Sequence, residues 1–556
     1  HRESPRSPIV FASVARHTPP SRGRVPTWYR DHVPVYRSSR SFVQVRGIVM
    51  ASLVGLLLLT GCDANSVDAQ HGVSGNEDVI RIASRRLPPG FANPAAHTGQ
   101  PAVDIWPAFF DALTYIDANG KVIPWLATDW TQVSETRWRF ALRRDVQFSN
   151  GEPFDADAVA LAVNEILLGY GARDLVRTSL LPTVVGATIV DSYTIEIETA
   201  EPDPLLPKRL SQFYPLPPRY FAEVGPKTFA RKPIGTGPFV VERWEAGRVL
   251  MRANRQSWRP PAVAGLDFIE IPEPIARRQA VESGQVQLAM YLAPEDIADL
   301  KQKNIEIRQA AEPRLRMLVF VVRKGSPLES RQVRLAMNHA IDKESIVKYL
   351  LSGAGTVATQ MGVRGSEGFD TTRDPIPYDL QRARQLMREA GYPNGIDLDM
   401  DLLVVTNTDR AVFEAILADL RDVGVRINVH TMEFERWRAK LLTGDWQHDL
   451  FSFTVALDPL LDITKAWQYL TCERPNAPFC QPEVSELIEK RARTFDTLER
   501  DRLLQLAHDR MTVDPPVILV HEMEQITAYR DLENLQVDNL MIRWDRIRRK
   551  SSAAHD

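Results

Sequence analysis

The stretch TRWRFALRRDVQFSNGEPFDADAVALAVNEI, from Thr136 to Ile166, constrains the fold more than any other part of the chain. Trp138, Phe140 and Leu142 alternate with polar residues, the two-residue period of a half-buried strand. SNGEP then turns the chain. Behind it Val159, Ala162, Val163, Ile166 and Leu167 recur at helical spacing, with Asp155 or Asp157 as the N-cap. The same switch returns downstream. Arg316–Val322 (RMLVFVV) is a continuous apolar run of strand length, as a strand buried on both faces requires. After it, Ser330 is placed to cap a helix carrying Val333, Ala336, Met337, Ala340 and Ile341, and Asp342 restarts a helix. A further helix is expected from Asp379 to Ala390, stopped by Gly391 and Pro393. The chain is therefore mixed α/β, and at 556 residues it is too long for one core, so two or three domains are expected.

A formal charge of -3 gives no general electrostatic drive towards nucleic acid, and no nucleic-acid partner is expected. Residues 1–46 are rich in Arg, Pro and Ser and lack apolar periodicity, as in a non-native or disordered leader. Gly47 to Leu59 is an apolar run shorter than the ~20 residues that span a bilayer, but of signal-peptide length. It ends in Leu59, Thr60, Gly61 and Cys62, which resembles the lipobox of bacterial lipoproteins; a short buried helix ending in Gly-Cys is the alternative. The lipobox reading implies a mature chain that starts at Cys62, is acylated there and is tethered to a membrane surface by residues 62–78. Asp63 resembles an inner-membrane retention signal. Translation is expected to start near Val43, Val45 or Met50. The other two cysteines, Cys472 and Cys480, bracket a short polar segment; they read as a disulfide closing a surface loop, with free thiols as the alternative.

Four blocks, in order, carry a family resemblance. They are FFDALTYIDANGKVIPWLATDWTQVSETRWRFALRRDVQFSNGEPFDADAVALAVNEI, KPIGTGPFVVERW, ESRQVRLAMNHAIDKESIVKYLLSGAGTVAT and YDLQRARQLMREAGYPNG. Together they resemble the extracellular solute-binding proteins, family 5, of ABC importers, which include the oligopeptide- and dipeptide-binding proteins. The resemblance implies a type II periplasmic-binding-protein fold of the large oligopeptide-binding class, with two lobes and an extra inserted subdomain. Lobe I is expected from 79–103, 227–314 and 511–548, the subdomain from 104–226, and lobe II from 315–510. Capture of a peptide or other small solute and delivery to ABC permease and ATPase subunits is implied, in the periplasm, by a lipid-anchored monomer with no cofactor and no metal.

In peptide-binding relatives an aspartate of lobe II pairs with the ligand's α-ammonium, nine residues after another aspartate. HDLFSFTVALDPLLD has that pattern, Asp449 then Asp458, which makes Asp458 the leading ligand contact; an Asp-Pro turn capping the next helix weighs equally. Val455 stands where peptide binders carry tryptophan, and the loop after Pro459 is short. Both departures leave room for other solutes of the family, such as nickel complexes, haem, sugars or opines. Phe91, His97, Met290, Tyr291, Arg316 and Trp437 are further candidate contacts, each with ordinary packing or surface exposure as the alternative.

An enzyme is the rival class. No histidine pair has the spacing of a helical zinc site, HEMEQ lacks the second histidine of a metalloprotease motif, and no Gly-x-Ser-x-Gly elbow occurs. A peptide-sensing lipoprotein of the same fold is a second rival. The glycines of KPIGTGPF suggest a phosphate loop, but Pro238, Phe239 and a strand pattern follow where a lysine and a helix are needed. Gly235 and Gly237 are instead expected to allow positive φ and close backbone approach.

Overall fold

Two long antiparallel strands, Glu306–Phe320 and Val517–Tyr529, organise the molecule. The computed structural model describes residues 78–88, 92–94, 99–168, 180–404, 406–458, 460–474 and 476–550. Cys62, Phe91 and His97, with the leader and the signal-like run, lie outside the described residues.

The two long strands sit mid-way in one large sheet. On one side of them the order runs through Leu288–Ala289, Val79–Ser84, Gly265–Glu270, Arg248–Ala253 and Phe239–Glu245. On the other it runs through Leu450–Ala456, Ile396–Leu402 and Val425–Thr431. The first half of Glu306–Phe320 belongs to the first set, which builds the first lobe, and the second half pairs with Leu450–Ala456 in the second lobe. Between the halves, at Pro313, the register slips: Glu312 faces Met523, but Leu315 faces Glu522. Proline cannot donate to a ladder, so a bulge at this point is expected chemistry. The apolar run at Arg316–Val322 marks only the later half of its strand. The earlier half, EIRQAAEPR, has no run of apolar residues and becomes a strand through its pairing with Val517–Tyr529.

Each lobe buries apolar residues on both sheet faces. In the second lobe Met317, Phe451, Phe453 and Val455 pack on one side, and Leu318, Phe320, Met400 and Leu450 on the other. A separate four-stranded sheet, in the order Ala127–Ser134, Arg137–Leu142, Thr194–Thr199, Val184–Asp191, carries the helix Ala156–Leu168. Phe140 and Leu142 are buried as the alternation requires, and Asp155 Oδ1 accepts from the backbone N–H of Asp157 and Ala158 at 3.1 and 3.4 Å. The core of this sheet is continuous with that of the first lobe, since Phe140, Val159 and Ile166 share one cluster with Phe239, Leu266 and Trp544.

Asp379 caps its helix through the Arg382 N–H at 2.8 Å, and Asp342 caps the next turn through Ser345. Ser330 differs: it occupies the N-cap position, but its hydroxyl donates to Gln332 instead of accepting a helix N–H. The Gly-Thr-Gly turn also differs in its reason. Neither Gly235 nor Gly237 has positive φ. Both are pressed on Phe109, where a Cβ would lie 1.9 Å from its carbonyl oxygen or 2.6 Å from its carbonyl carbon. Close approach alone demands glycine there. Thr236 between them donates to the buried Asp111, which also receives the indoles of Trp125 and Trp258 and the guanidinium of Arg259. Cys472 and Cys480 are disulfide-bonded.

Candidate functional site: an ionic cluster between the lobes

Glu312, Arg314 and Arg316 are spaced two apart around the bulge of the first crossing strand, with the apolar Leu315 and Met317 packed into the second lobe. Arg314 is the hub. Its Nε donates to Asp458 Oδ1 at 3.3 Å, its Nη1 lies 3.2 Å from Glu312 Oε1, and its Nη2 donates to Gln100 Oε1 at 2.8 Å. Gln100 in turn donates through Nε2 to the Tyr291 hydroxyl at 2.6 Å, and that hydroxyl donates to Asp104 Oδ1 at 2.7 Å. Arg85 lies over the Tyr291 ring, 4.8 Å from its centre. A chain of polar contacts thus runs from the second lobe to the first.

Burial sets the electrostatics. It pushes the Asp104 carboxyl up to about 7, although the Tyr291 hydroxyl and Arg85 oppose it. Glu312 is also raised by burial, against Arg314. Tyr291 has φ +58, a left-handed conformation rare for a bulky residue. Arg277 holds that turn, donating Nε to the Met290 carbonyl at 2.8 Å and Nη2 to the Tyr291 carbonyl at 2.6 Å. Arg316 is ion-paired with Asp409 and lies over the Phe413 ring. His521, opposite Arg316 in the ladder, is held near 4 by burial and by that guanidinium, and is therefore neutral at pH 7.

Of the residues singled out in the sequence, Asp458 and Tyr291 are linked through Arg314 and Gln100 in this cluster, and Arg316 lies beside it on the same strand as Arg314, paired with Asp409. Asp458 is 7% exposed, and its Oδ2 lies 3.9 Å from where a Cβ on Gly99 would be. The short helix that follows, Thr464–Trp467, has Ile463 at its N-cap and no side-chain cap, although Asp462 just before it accepts the Thr464 N–H at 3.0 Å. Met290 is buried in the first-lobe core and Trp437 in the second-lobe core, where its indole donates to the Ser452 carbonyl at 3.1 Å. Neither joins the cluster. Asp104, Gln100, Glu312 and Arg314 were not singled out. The alternation of Glu312, Arg314 and Arg316 just ahead of an apolar strand is the signal that points to three of the cluster's charges. Among the described residues no group of three or more His, Cys, Asp and Glu side chains is arranged to hold a metal ion, and no helix is long and apolar enough to cross a membrane.

The lobes also touch outside the cluster. A Cβ on Gly120 of the first lobe would lie 1.8 Å from the Gly365 carbonyl of the second, Arg209 Nη2 is 3.9 Å from Asp462 Oδ2, and the Trp138 and Phe495 rings are 6.1 Å apart. The molecule is closed over its fulcrum.

Two lobes, joined by crossing strands and closed on a polar cluster, define a type II periplasmic-binding-protein fold. The solved structure of the periplasmic binding protein DppA from Helicobacter pylori, in complex with peptide STSA, has this fold, with TM-score 0.67 at 20% identity over 85% of this chain and 98% of that one. The family model for bacterial extracellular solute-binding proteins, family 5 (middle region) matches residues 121–475, and the chain belongs to that family. The nickel-binding periplasmic protein of Escherichia coli (strain K12) is 27% identical over 353 residues, 58% of this chain and 65% of its own length. The glutathione-binding protein GsiB of Escherichia coli O1:K1 is 24% identical over 452 residues, 76% of this chain and 85% of its own.

Proposed function

We propose that the chain is the solute-capturing component of an ABC importer, that it takes a small peptide between its lobes, and that it hands the peptide to membrane permease subunits. The observation that carries this reading is the meeting of Asp458, Glu312 and Arg314 across the fulcrum. A zwitterion suits such a cluster, because its ammonium and carboxylate each exchange one internal ion-pair partner for another. A buried carboxylate left alone costs several kcal/mol, so Asp458 needs either Arg314 or a ligand ammonium beside it. The solute would bind without covalent change, and its binding would favour the closed form. A lipid-anchored periplasmic location follows from Cys62 and is read out by the mass of the mature N-terminal peptide, which should carry acyl chains on that cysteine.

Native mass spectrometry of the purified protein, followed by thermal shifts with di- to pentapeptides, tests the peptide reading. Asp458→Asn should weaken free-amine peptides at least tenfold, about 1.4 kcal/mol, and N-acetylated ones far less. Equal losses would remove Asp458 from the site. The similarity to a nickel-binding protein favours a second reading, a metal chelate whose carboxylates face Arg314 and Arg316. A shift with such a chelate and none with any peptide would select it.

A further inference from the structure

A second group of charges lies buried where the lobes touch, away from the crossing strands. Lys208, on the short helix Leu206–Arg209 of the first lobe, is 5% exposed. The charges acting on its ammonium are Glu367, Asp462, Arg491 and Arg500, all of the second lobe. Arg491 and Arg500, on the helices Pro482–Arg493 and Thr497–Val513, are 1% and 3% exposed.

These guanidiniums are short of acceptors. Arg491 donates Nη2 to the Glu367 carbonyl at 3.4 Å, while its Nε and Nη1 have no partner among the described residues. Arg500 donates Nη2 to Glu367 Oε2 at 3.0 Å, and its Nε has no partner among them. The buried Ser366 hydroxyl, next to Glu367, is also without one. The nearby carboxylates do not fill the gap. Glu367 is taken by Arg500, Asp462 accepts the Thr464 N–H, and Asp501 Oδ1 lies against Gly368 without accepting from either guanidinium. Burial lowers the Lys208 pKa despite Glu367 and Asp462. An unmet buried N–H costs its full desolvation, and more when charged. The complement of two buried guanidiniums with idle donors, beside the buried Lys208 ammonium, is an oxyanion, which the guanidinium fork matches in shape.

We propose that Lys208, Arg491 and Arg500 form a binding site for a small oxyanion, a carboxylate or phosphate, which bridges the two lobes and favours the closed form. The site draws one cation from the first lobe and two from the second, so an occupant stabilises only the state in which they meet. The inference holds whatever solute the fulcrum takes. The oxyanion has two sources, a free anion or a carboxylate of the captured solute.

The test uses the mature chain with inorganic phosphate, acetate and chloride at matched ionic strength, read by melting temperature and small-angle X-ray scattering. Phosphate or acetate should raise the melting temperature saturably and lower the radius of gyration, where chloride does not. Lys208→Gln and Arg491→Gln should weaken that response at least tenfold. Should Arg491→Gln unfold, Lys208→Gln still decides, because it leaves the second lobe intact. Trialanine and its C-terminal amide then separate the sources. Displacement of phosphate by the free acid alone assigns the site to the solute's carboxylate, and retention of phosphate beside both assigns it to a free anion. If trialanine does not bind, the peptide reading loses support while the phosphate arm still decides the site. An identical response of wild type and Lys208→Gln, or none to phosphate and acetate, overturns the proposal.

Discussion

Asp104 sits at the end of the polar chain that starts at Asp458, and burial holds its carboxyl near 7 against 3.8 for the free group. The native state therefore keeps a proton that the unfolded chain has lost throughout the interval between those values. Stability is unaffected by Asp104 below about pH 4 and falls as pH rises from there to about 7, by roughly 4 kcal/mol at 1.4 kcal/mol per unit. Asp104→Asn keeps an oxygen for the Tyr291 hydroxyl and has no charge to bury. Urea denaturation at pH 5 and pH 8 should find the variant more stable than wild type at pH 8, with the gap narrowing at pH 5. A gap that widens at pH 5 would reverse the sign. At this scale the sequence was half legible. The family resemblance singles out Asp458, nine residues after Asp449, but its partner Arg314 is 144 residues away in the chain and the next partner, Gln100, lies 214 residues from Arg314, and these groups come together only when the lobes meet. Local pattern carries no record of such pairs.

Among the elements, the helix Asn407–Arg421 shows how one cap serves two purposes. Thr406 accepts the Asp409 N–H at 3.0 Å, and Asp409 returns a bond to the Thr406 N–H at 3.0 Å, the reciprocal capping box. Asp409 also takes the buried Arg316 of the crossing strand. The two residues should consequently differ in cost. Thr406→Ala loses a cap and should destabilise by about 1 kcal/mol. Asp409→Ala strands a buried guanidinium as well and should cost about 3–5 kcal/mol. Chemical denaturation midpoints of the two variants check this, and equal losses would mean that Arg316 finds another acceptor. The element pattern itself was largely readable, because the strand Arg137–Leu142 and the helices behind Asp155 and Asp379 declare their periods locally. Glu306–Arg314 did not, since its strand state comes from a partner two hundred residues away. Ser330 failed as a cap for a related reason: residue type fixes what a hydroxyl can accept, not where it points.

For the whole molecule, closure brings the turn Asp117–Lys121 of the first lobe onto the Gly365 loop of the second. Gly120 has φ +78 and its N–H bonds to the Asp117 carbonyl at 2.9 Å. A side chain there meets two separate penalties. The left-handed conformation costs roughly 1–2 kcal/mol in any state of the molecule. The clash with the Gly365 carbonyl, at 1.8 Å from the added Cβ, exists only when the lobes are closed, and backbone cannot swing aside as a side-chain tip does. Gly120→Ala should therefore bias the molecule open. Solute affinity should fall at least tenfold, about 1.4 kcal/mol, and scattering should give a larger radius of gyration in the presence of solute. Gly151→Ala separates the two penalties, because Gly151 has φ +86 but open space where its Cβ would go. It carries the same backbone strain without touching the second lobe, so its affinity and scattering should match wild type. If Gly151→Ala loses affinity as far as Gly120→Ala does, strain rather than closure accounts for the effect, and the contact at Gly365 plays no part in holding the lobes together.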